Sequence, residues 1–237
     1  MELGGSLAVV TGATEGIGRA IATALGRAGA RVAICARTET NVRRTVGDFC
    51  AAGVDAIGIP CDVSDPGAVE RFATFVRQER GAPHVVVNNA GIGRFRPLEE
   101  LSLDDWDAVM ATNVRSLYLV TRAFLKDMKT SGGGTIVNVA SLAGKNGVEG
   151  GTAYCASKHA VLGFSKALML EVRKHNIRVV AICPGSVATP FMDKQDRFRP
   201  NRERVLTADD VAHAVLATVT VADRAMVSEL DIRPTNP

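Results

Sequence analysis

"LAVVTGATEGIG", residues 7–18, decides the fold of this chain. Apolar and β-branched residues run to Thr11. Gly12, Gly16 and Gly18 then punctuate a turn, and Ile17, Ile21 and Leu25 recur every four residues beyond it. The first part reads as a buried strand and the last as a helix with one apolar stripe. Two readings of the turn between them are open. The glycines, which do not have the common G-x-G-x-x-G spacing, serve only the tight βα geometry. Alternatively, together with Thr14, Glu15 and Ile17, they let a pyrophosphate approach the helix N-terminus, where unpaired amides and partial positive charge favour an anion. The position after the first of several strands favours the nucleotide.

The alternation continues along the chain. Strands are expected over 31–36, 55–60, 84–88, 135–140 and 178–183, and "VSELDIR" (227–233) alternates as a last, half-solvated strand. Helical spacing lies between them, as at Val69, Ala73 and Arg77. A long helix over 102–128 opens with Ser102 and Asp105, and another start signal is Thr207 with Asp210. This pattern predicts an α/β single-domain Rossmann fold: a doubly wound, mostly parallel seven-stranded sheet with helices on both faces. No repeat or linker divides residues 1–237. A dinucleotide-binding part is expected up to about 140, and a catalytic and substrate-binding part over about 141–237.

Composition narrows the class. A net charge of +3 from 28 basic and 25 acidic residues is too small to argue for nucleic acid or a membrane surface. Five scattered cysteines without a CxxC pair suit a reducing compartment, and the first residues lack a leader pattern, so a soluble cytoplasmic protein is expected. His84, His159, His175 and His213 share no ligand spacing, so no metal is assigned.

The second strand ends Cys35-Ala36-Arg37-Thr38, without the carboxylate that reads a ribose 2′-hydroxyl in NAD enzymes. Arg37 is either a solvated loop residue or a partner for a 2′-phosphate, so NADP(H) is favoured over NAD(H). Asp62, after the third strand and beside Val63, is placed for the adenine amino group. In "YCASK" (154–158) a helix sets Tyr154 and Lys158 on one face, either solvated or aimed at one ligand. An ammonium beside a phenol is expected to lower the phenol's pKa from its usual value near 10 and suit it to acid–base work.

Together these pieces resemble the short-chain dehydrogenase/reductase family along nearly the whole chain. The shared motifs are Thr11 to Gly18; Asn88-Asn89-Ala90-Gly91; Asn113 in "ATNV"; Ser141 in "NVAS"; Tyr154 with Lys158; and Pro184-Gly185 followed by Val187 and Thr189. The resemblance implies that Asn113, Ser141, Tyr154 and Lys158 are catalytic. Tyr154 would exchange the proton, Ser141 would donate to the substrate oxygen, and Lys158 would also hold the nicotinamide ribose. Asn113, at a break in its helix, would hold a water behind the lysine. It implies reduction of a small-molecule carbonyl by NADPH, in a homo-oligomer (tetramer or dimer) built on helices 102–128 and 152–174. A 3-oxoacyl-carrier-protein reductase and an NAD-linked alcohol dehydrogenase are the alternatives, and the ending "SELDIRPTNP" departs from the glycine-rich "VDGG" strand of the former.

Specificity should lie in loops beyond the strand ends, over 91–101, 141–153 and after Thr189. There Lys194, Arg197, Arg199, Arg202 and Arg204, with Arg94 and Arg96 nearby, form either a solvated surface or an attractor for an acidic substrate or carrier. Phe95, Phe191, Met192 and Phe198 offer an apolar wall.

Overall fold

The computed structural model describes residues 2–193, 201 and 204–235. Among them, seven strands form one sheet: β1 (Leu7–Thr11), β2 (Arg31–Ala36), β3 (Ala56–Pro60), β4 (Val85–Asn88), β5 (Gly134–Val139), β6 (Ile177–Pro184) and β7 (Glu229–Ile232). Their order is β3-β2-β1-β4-β5-β6-β7 and every pairing is parallel. The sheet is therefore wholly rather than mostly parallel. Its inner strands are apolar, largely β-branched runs buried on both faces, as β1 and β6 are along their whole lengths. The chain winds outward from β1 to β3, then returns to place β4 beside β1. That reversal opens a crevice at the carboxyl ends of the two strands.

Alternate strand residues feed two helical layers. Ala8 and Val10 pack with α1 (Gly16–Arg27), α2 (Glu39–Ala51) and α8 (Ala208–Thr220) through Ile21, Leu25, Phe49 and Val215. Leu7 and Val9 face the opposite way, toward α3 (Pro66–Arg80), α5 (Ser116–Thr130) and α6 (Thr152–Val172). On that side Phe72 and Phe124 meet edge to face at 6.1 Å, both fully buried. Truncating either to alanine would cost about 3–5 kcal/mol.

The expected helix over 102–128 is broken in the middle. α4 (Leu103–Met110) gives way to a π-turn at Ala111–Arg115 before α5 begins. Ser102 caps α4 by accepting from the Asp105 amide, and Thr207 with Asp210 forms a full reciprocal capping box on α8. A buried polar chain ties the strand ends to the helices beneath the crevice. Asn88 Nδ2 donates to Thr121 (3.1 Å) and Asn138 (2.9 Å), and Asn138 Nδ2 donates to Ser165 (2.8 Å). Buried side-chain networks of this kind fix one register because each lost partner strands a desolvated polar atom. β7 lies partly exposed at the sheet edge, as its alternation predicts.

Candidate active site

The glycine turn is locked to the next strand over. Gly12 and Gly16 have φ of +64° and +55°, and a Cβ at Gly12 would come within 2.9 Å of the Ala90 backbone. Asn89 Nδ2 donates to the carbonyls of Thr11 (2.9 Å) and Gly12 (3.1 Å), while Thr11 Oγ1 accepts from the Asn89 and Ala90 amides. Gly18 leaves room for this clasp, since a Cβ there would lie 2.3 Å from Asn89 Nδ2. Glu15 is the N-cap of α1 yet makes no side-chain cap hydrogen bond. The first-turn amides and the positive helix end therefore face the crevice uncapped from within the helix, which fits the phosphates of a dinucleotide.

The crevice is a cleft of about 1020 Å³. Arg37, Thr38, Asp62 and Val63 line its end at β2 and β3. Partial burial pushes Asp62 up, but hydrogen bonds from Ser64 N (2.9 Å) and Oγ (2.7 Å) and the Arg37 and Arg115 charges outweigh it, so its carboxyl lies below the usual range. An ionised acceptor and an exposed guanidinium therefore stand together at this end of the cleft.

At the other end of the cleft are Ser141, Tyr154 and Lys158. Ser141 follows β5; its Oγ accepts from the Ala143 amide (3.1 Å), donates to the Pro184 carbonyl (3.4 Å) and lies close to the Tyr154 phenol. Lys158 is 5% exposed and donates from Nζ to the Val139 carbonyl at 2.8 Å, 5.7 Å from the centre of the Tyr154 ring. Here the sequence-based expectation needs correcting. Burial, with the Phe95 and Phe191 rings packed against it, pushes the Tyr154 phenol up to about 12, and the nearby Ser141 hydroxyl opposes this only in part. Burial also pulls Lys158 down to about 8. Desolvation of both charged forms outweighs the attraction expected from the spacing, because the ammonium sits on a carbonyl rather than on the phenolate oxygen.

Asn113 lies in the π-turn, buried behind the cleft rather than lining it. Its Oδ1 accepts from Ile92 N (2.8 Å), and its Nδ2 donates to the Ile92 carbonyl (2.9 Å) and Ser157 Oγ (3.0 Å). Ser157 Oγ in turn donates to the Tyr154 carbonyl at 2.7 Å. Ser157 was not singled out in the sequence, although its place three residues after Tyr154 was the available signal. The other sequence-derived positions come together: Gly12, Thr14, Glu15, Gly16, Ile17, Asn89, Ala90, Gly91, Pro184, Gly185, Val187 and Thr189 all line the cleft. Gly18 does not line it; it packs beneath. The tail contributes Arg233 and Pro234, which sequence reasoning missed.

Of the basic segment, Lys194, Arg197, Arg199, Arg202 and also Phe198 lie outside the described residues, whereas Arg204 lines the cleft. Among the described residues, Cys183, Glu229 and Asp231 bring ligand atoms within 4.8 Å of one another. The Lys145 ammonium already bridges the two carboxylates, at 2.5 Å from each. No described helix is long and apolar enough to cross a membrane.

The short chain dehydrogenase family model matches residues 6–200. The chain belongs to that family. A Streptomyces coelicolor protein carrying the name of a ketoacyl reductase is 45% identical over 187 residues, 78% of this chain and 72% of that one. A metagenomic short-chain oxidoreductase solved with NADP superposes at a TM-score of 0.87 with 39% identity, covering 100% of both chains. Actinorhodin polyketide ketoreductase, solved as a variant with NADPH, superposes at 0.90 with 36% identity over 97% of this chain and 96% of that one. The seven-stranded parallel sheet described above is thus the fold of short-chain dehydrogenases, and these two were solved with NADP and NADPH.

Proposed function

We propose that this short-chain dehydrogenase reduces a ketone or aldehyde to the alcohol with NADPH, with Tyr154 as the proton donor. The chain is an NAD(P)-dependent oxidoreductase acting on carbonyl or alcohol groups, and NADP(H) is its favoured cofactor. The observation that carries the roles is the Tyr154 phenol, close to Ser141 and walled by Phe95 and Phe191, standing in the same cleft as the phosphate-ready α1 terminus. When bound, the cofactor supplies hydride to the carbonyl carbon. Ser141 and Tyr154 hold the carbonyl oxygen between two donors, and Tyr154, fully protonated at neutral pH, gives its proton as negative charge develops there.

Lys158 has two tasks in this reading. Its ammonium faces the ribose hydroxyls, and it stabilises the phenolate left after transfer. Asn113, clamped to Ile92 and Ser157, keeps the π-turn open for a water behind the lysine. The remaining cleft residues bind the dinucleotide: Gly12, Thr14, Glu15, Gly16, Ile17 and, from beneath, Gly18 at the pyrophosphate; Arg37 and Thr38 at the 2′-phosphate; Asp62 and Val63 at the adenine. Asn89, Ala90, Gly91, Pro184, Gly185, Val187 and Thr189 lie along the nicotinamide half. Residues up to about 140 thereby form the dinucleotide part and those beyond it the catalytic part.

A cytoplasmic location is supported by five unpaired cysteines. Homo-oligomerisation, as a tetramer or dimer, is supported by apolar side chains left exposed on the long helices, Tyr118 on α5 and Leu170 on α6. The name of the Streptomyces relative favours a 3-oxoacyl substrate as the second reading. Tyr154→Phe tests the first: kcat for carbonyl reduction should fall by about 10²–10⁴ while NADPH affinity stays within a few-fold of wild type. Near wild-type turnover by this variant would remove Tyr154 from the mechanism.

A further inference from the structure

The substrate end of the cleft is aromatic. The Phe95 ring packs on Tyr154 at 5.3 Å between centroids, and Phe191 packs on it at 5.8 Å. Ile92, Leu142, Val148 and Met192 complete the lining around Ser141. The Phe95 wall is built into the fold. The Arg96 amide beside it donates to the Gly150 carbonyl at 2.8 Å, and Gly150 turns at φ +67°. At Gly151 a Cβ would come within 3.3 Å of the Phe95 ring, so the glycine lets that ring settle over the start of α6. Phe191 is carried by the short α7 (Pro190–Asp193), whose Met192 amide donates to the Thr189 carbonyl at 3.0 Å.

Among the described residues, the Arg94 and Arg233 charges at this end are already committed. Arg94 lines the cleft, but its Nε donates to Asp105 at 2.8 Å. Arg233 reaches Asp231 at 3.4 Å. Arg204 stands two residues before the bridge that joins Leu206 to Val187, and it is the group best placed to recognise an acid. A carboxylate carried on a ring held there would instead lie among Phe95, Phe191, Leu142 and Val148, losing its water with no cation from the described residues among those four. Tyr154, Phe95 and Phe191, whose rings already touch at 5.3 and 5.8 Å, present one aromatic surface in the cleft against which a flat ring gains offset or edge contacts.

We propose that the substrate is an uncharged aryl ketone, its ring held against Phe95 and Phe191 while its carbonyl oxygen reaches Ser141 and Tyr154. This inference rests on the reductase reading above and names the substrate class of that same site. The wild-type protein is assayed with NADPH against four ketones: acetophenone, cyclohexyl methyl ketone, methyl 4-acetylbenzoate and 4-acetylbenzoate. An N-acetylcysteamine thioester of 3-oxobutanoate is the fifth substrate. Acetophenone should exceed its saturated counterpart in kcat/KM by about fivefold or more, the sum of two ring contacts. The methyl ester should exceed the free acid by more than about tenfold, and both aryl neutral ketones should exceed the thioester.

Phe95→Leu and Phe191→Leu keep apolar bulk and remove a ring. Each should pull the acetophenone-to-cyclohexyl ratio toward one, mainly through KM, with NADPH affinity as the check that the variant is folded. A free acid or thioester that matches the neutral aryl ketones overturns the proposal, as does an aryl preference that survives both leucine variants. Turnover with such a changed preference leaves the reductase reading standing. Intact NADPH binding with no oxidation by any of the five carbonyls overturns the reductase reading and this inference with it.

Discussion

Lys158 is a buried ammonium, and removing it should stabilise the protein while destroying its activity. The side chain is 5% exposed, and burial lowers it from 10.5 to about 8. That difference corresponds to about 3 kcal/mol spent on keeping the cation charged at neutral pH. Lys158→Met keeps the chain length and apolar stem but sheds the charge. It also deprives the Val139 carbonyl of its 2.8 Å donor, which costs about 1 kcal/mol. The net expectation is a gain of about 2 kcal/mol at pH 7, or about 4–8 °C in Tm for a domain of this size.

The sign has a pH signature. Because the folded-state value lies below the unfolded one, the unfolded chain holds an extra proton between about 8 and 10.5. Stability from this group is therefore present above 10.5 and is lost as pH falls through 8. The advantage of the methionine variant should be complete below pH 8 and gone above 10.5. Urea unfolding without NADPH, followed by Trp106 fluorescence at pH 7 and pH 10.5, measures both ends. A variant less stable than wild type at pH 7, or a difference that does not change with pH, would refute the argument.

Two further outcomes follow from the same site. Since the charged form of Lys158 exists below about 8, kcat/KM for carbonyl reduction should hold level to near that pH and then fall up to tenfold per unit as the ammonium is lost. A profile flat from pH 7 to 10 would separate that titration from turnover. Arg37→Ala removes the guanidinium at the end of β2, so KM for NADPH should rise about tenfold or more while KM for NADH changes little. An equal effect on both cofactors would place the arginine away from the 2′-phosphate.

Most of the fold was legible because its signals are local. Six β-branched runs and one alternating tail became seven strands with ends within about two residues of expectation, since a strand buried on both faces must be apolar throughout. The cleft was legible for a different reason. Gly12 and Gly16 turn at positive φ, Gly18 leaves no room for a Cβ beside the Gly12 carbonyl, and Asn89 donates to the Thr11 and Gly12 carbonyls, so residue type there reports the geometry. What stayed hidden depends on tertiary approach. Nothing in "YCASK" shows that Ser157 would meet Asn113 from a segment 44 residues earlier, or that the π-turn would be the device that lets it. Arg233 and Pro234 reach the cleft only because β7 lies beside β6.

The tyrosine's acidity shows where sequence spacing misleads. Four residues along a helix fix two Cβ atoms, but not where the longer side chain ends. Lys158 ends on the Val139 carbonyl, so its charge is spent on a hydrogen bond beneath the sheet end, and the phenol is governed by the rings around it. The consequence suits the direction of reduction. A phenol held near 12 is fully protonated at neutral pH and has its proton ready for a developing alkoxide. In the mechanism proposed above, a weak acid of this kind would transfer late, as the oxygen it faces becomes basic, with Ser141 as the other donor to that oxygen. The same aromatic wall that raises the phenol is the one proposed to hold the substrate's ring. Trimming Phe95 or Phe191 should therefore alter acidity and selectivity together, because both arise from water excluded at one place.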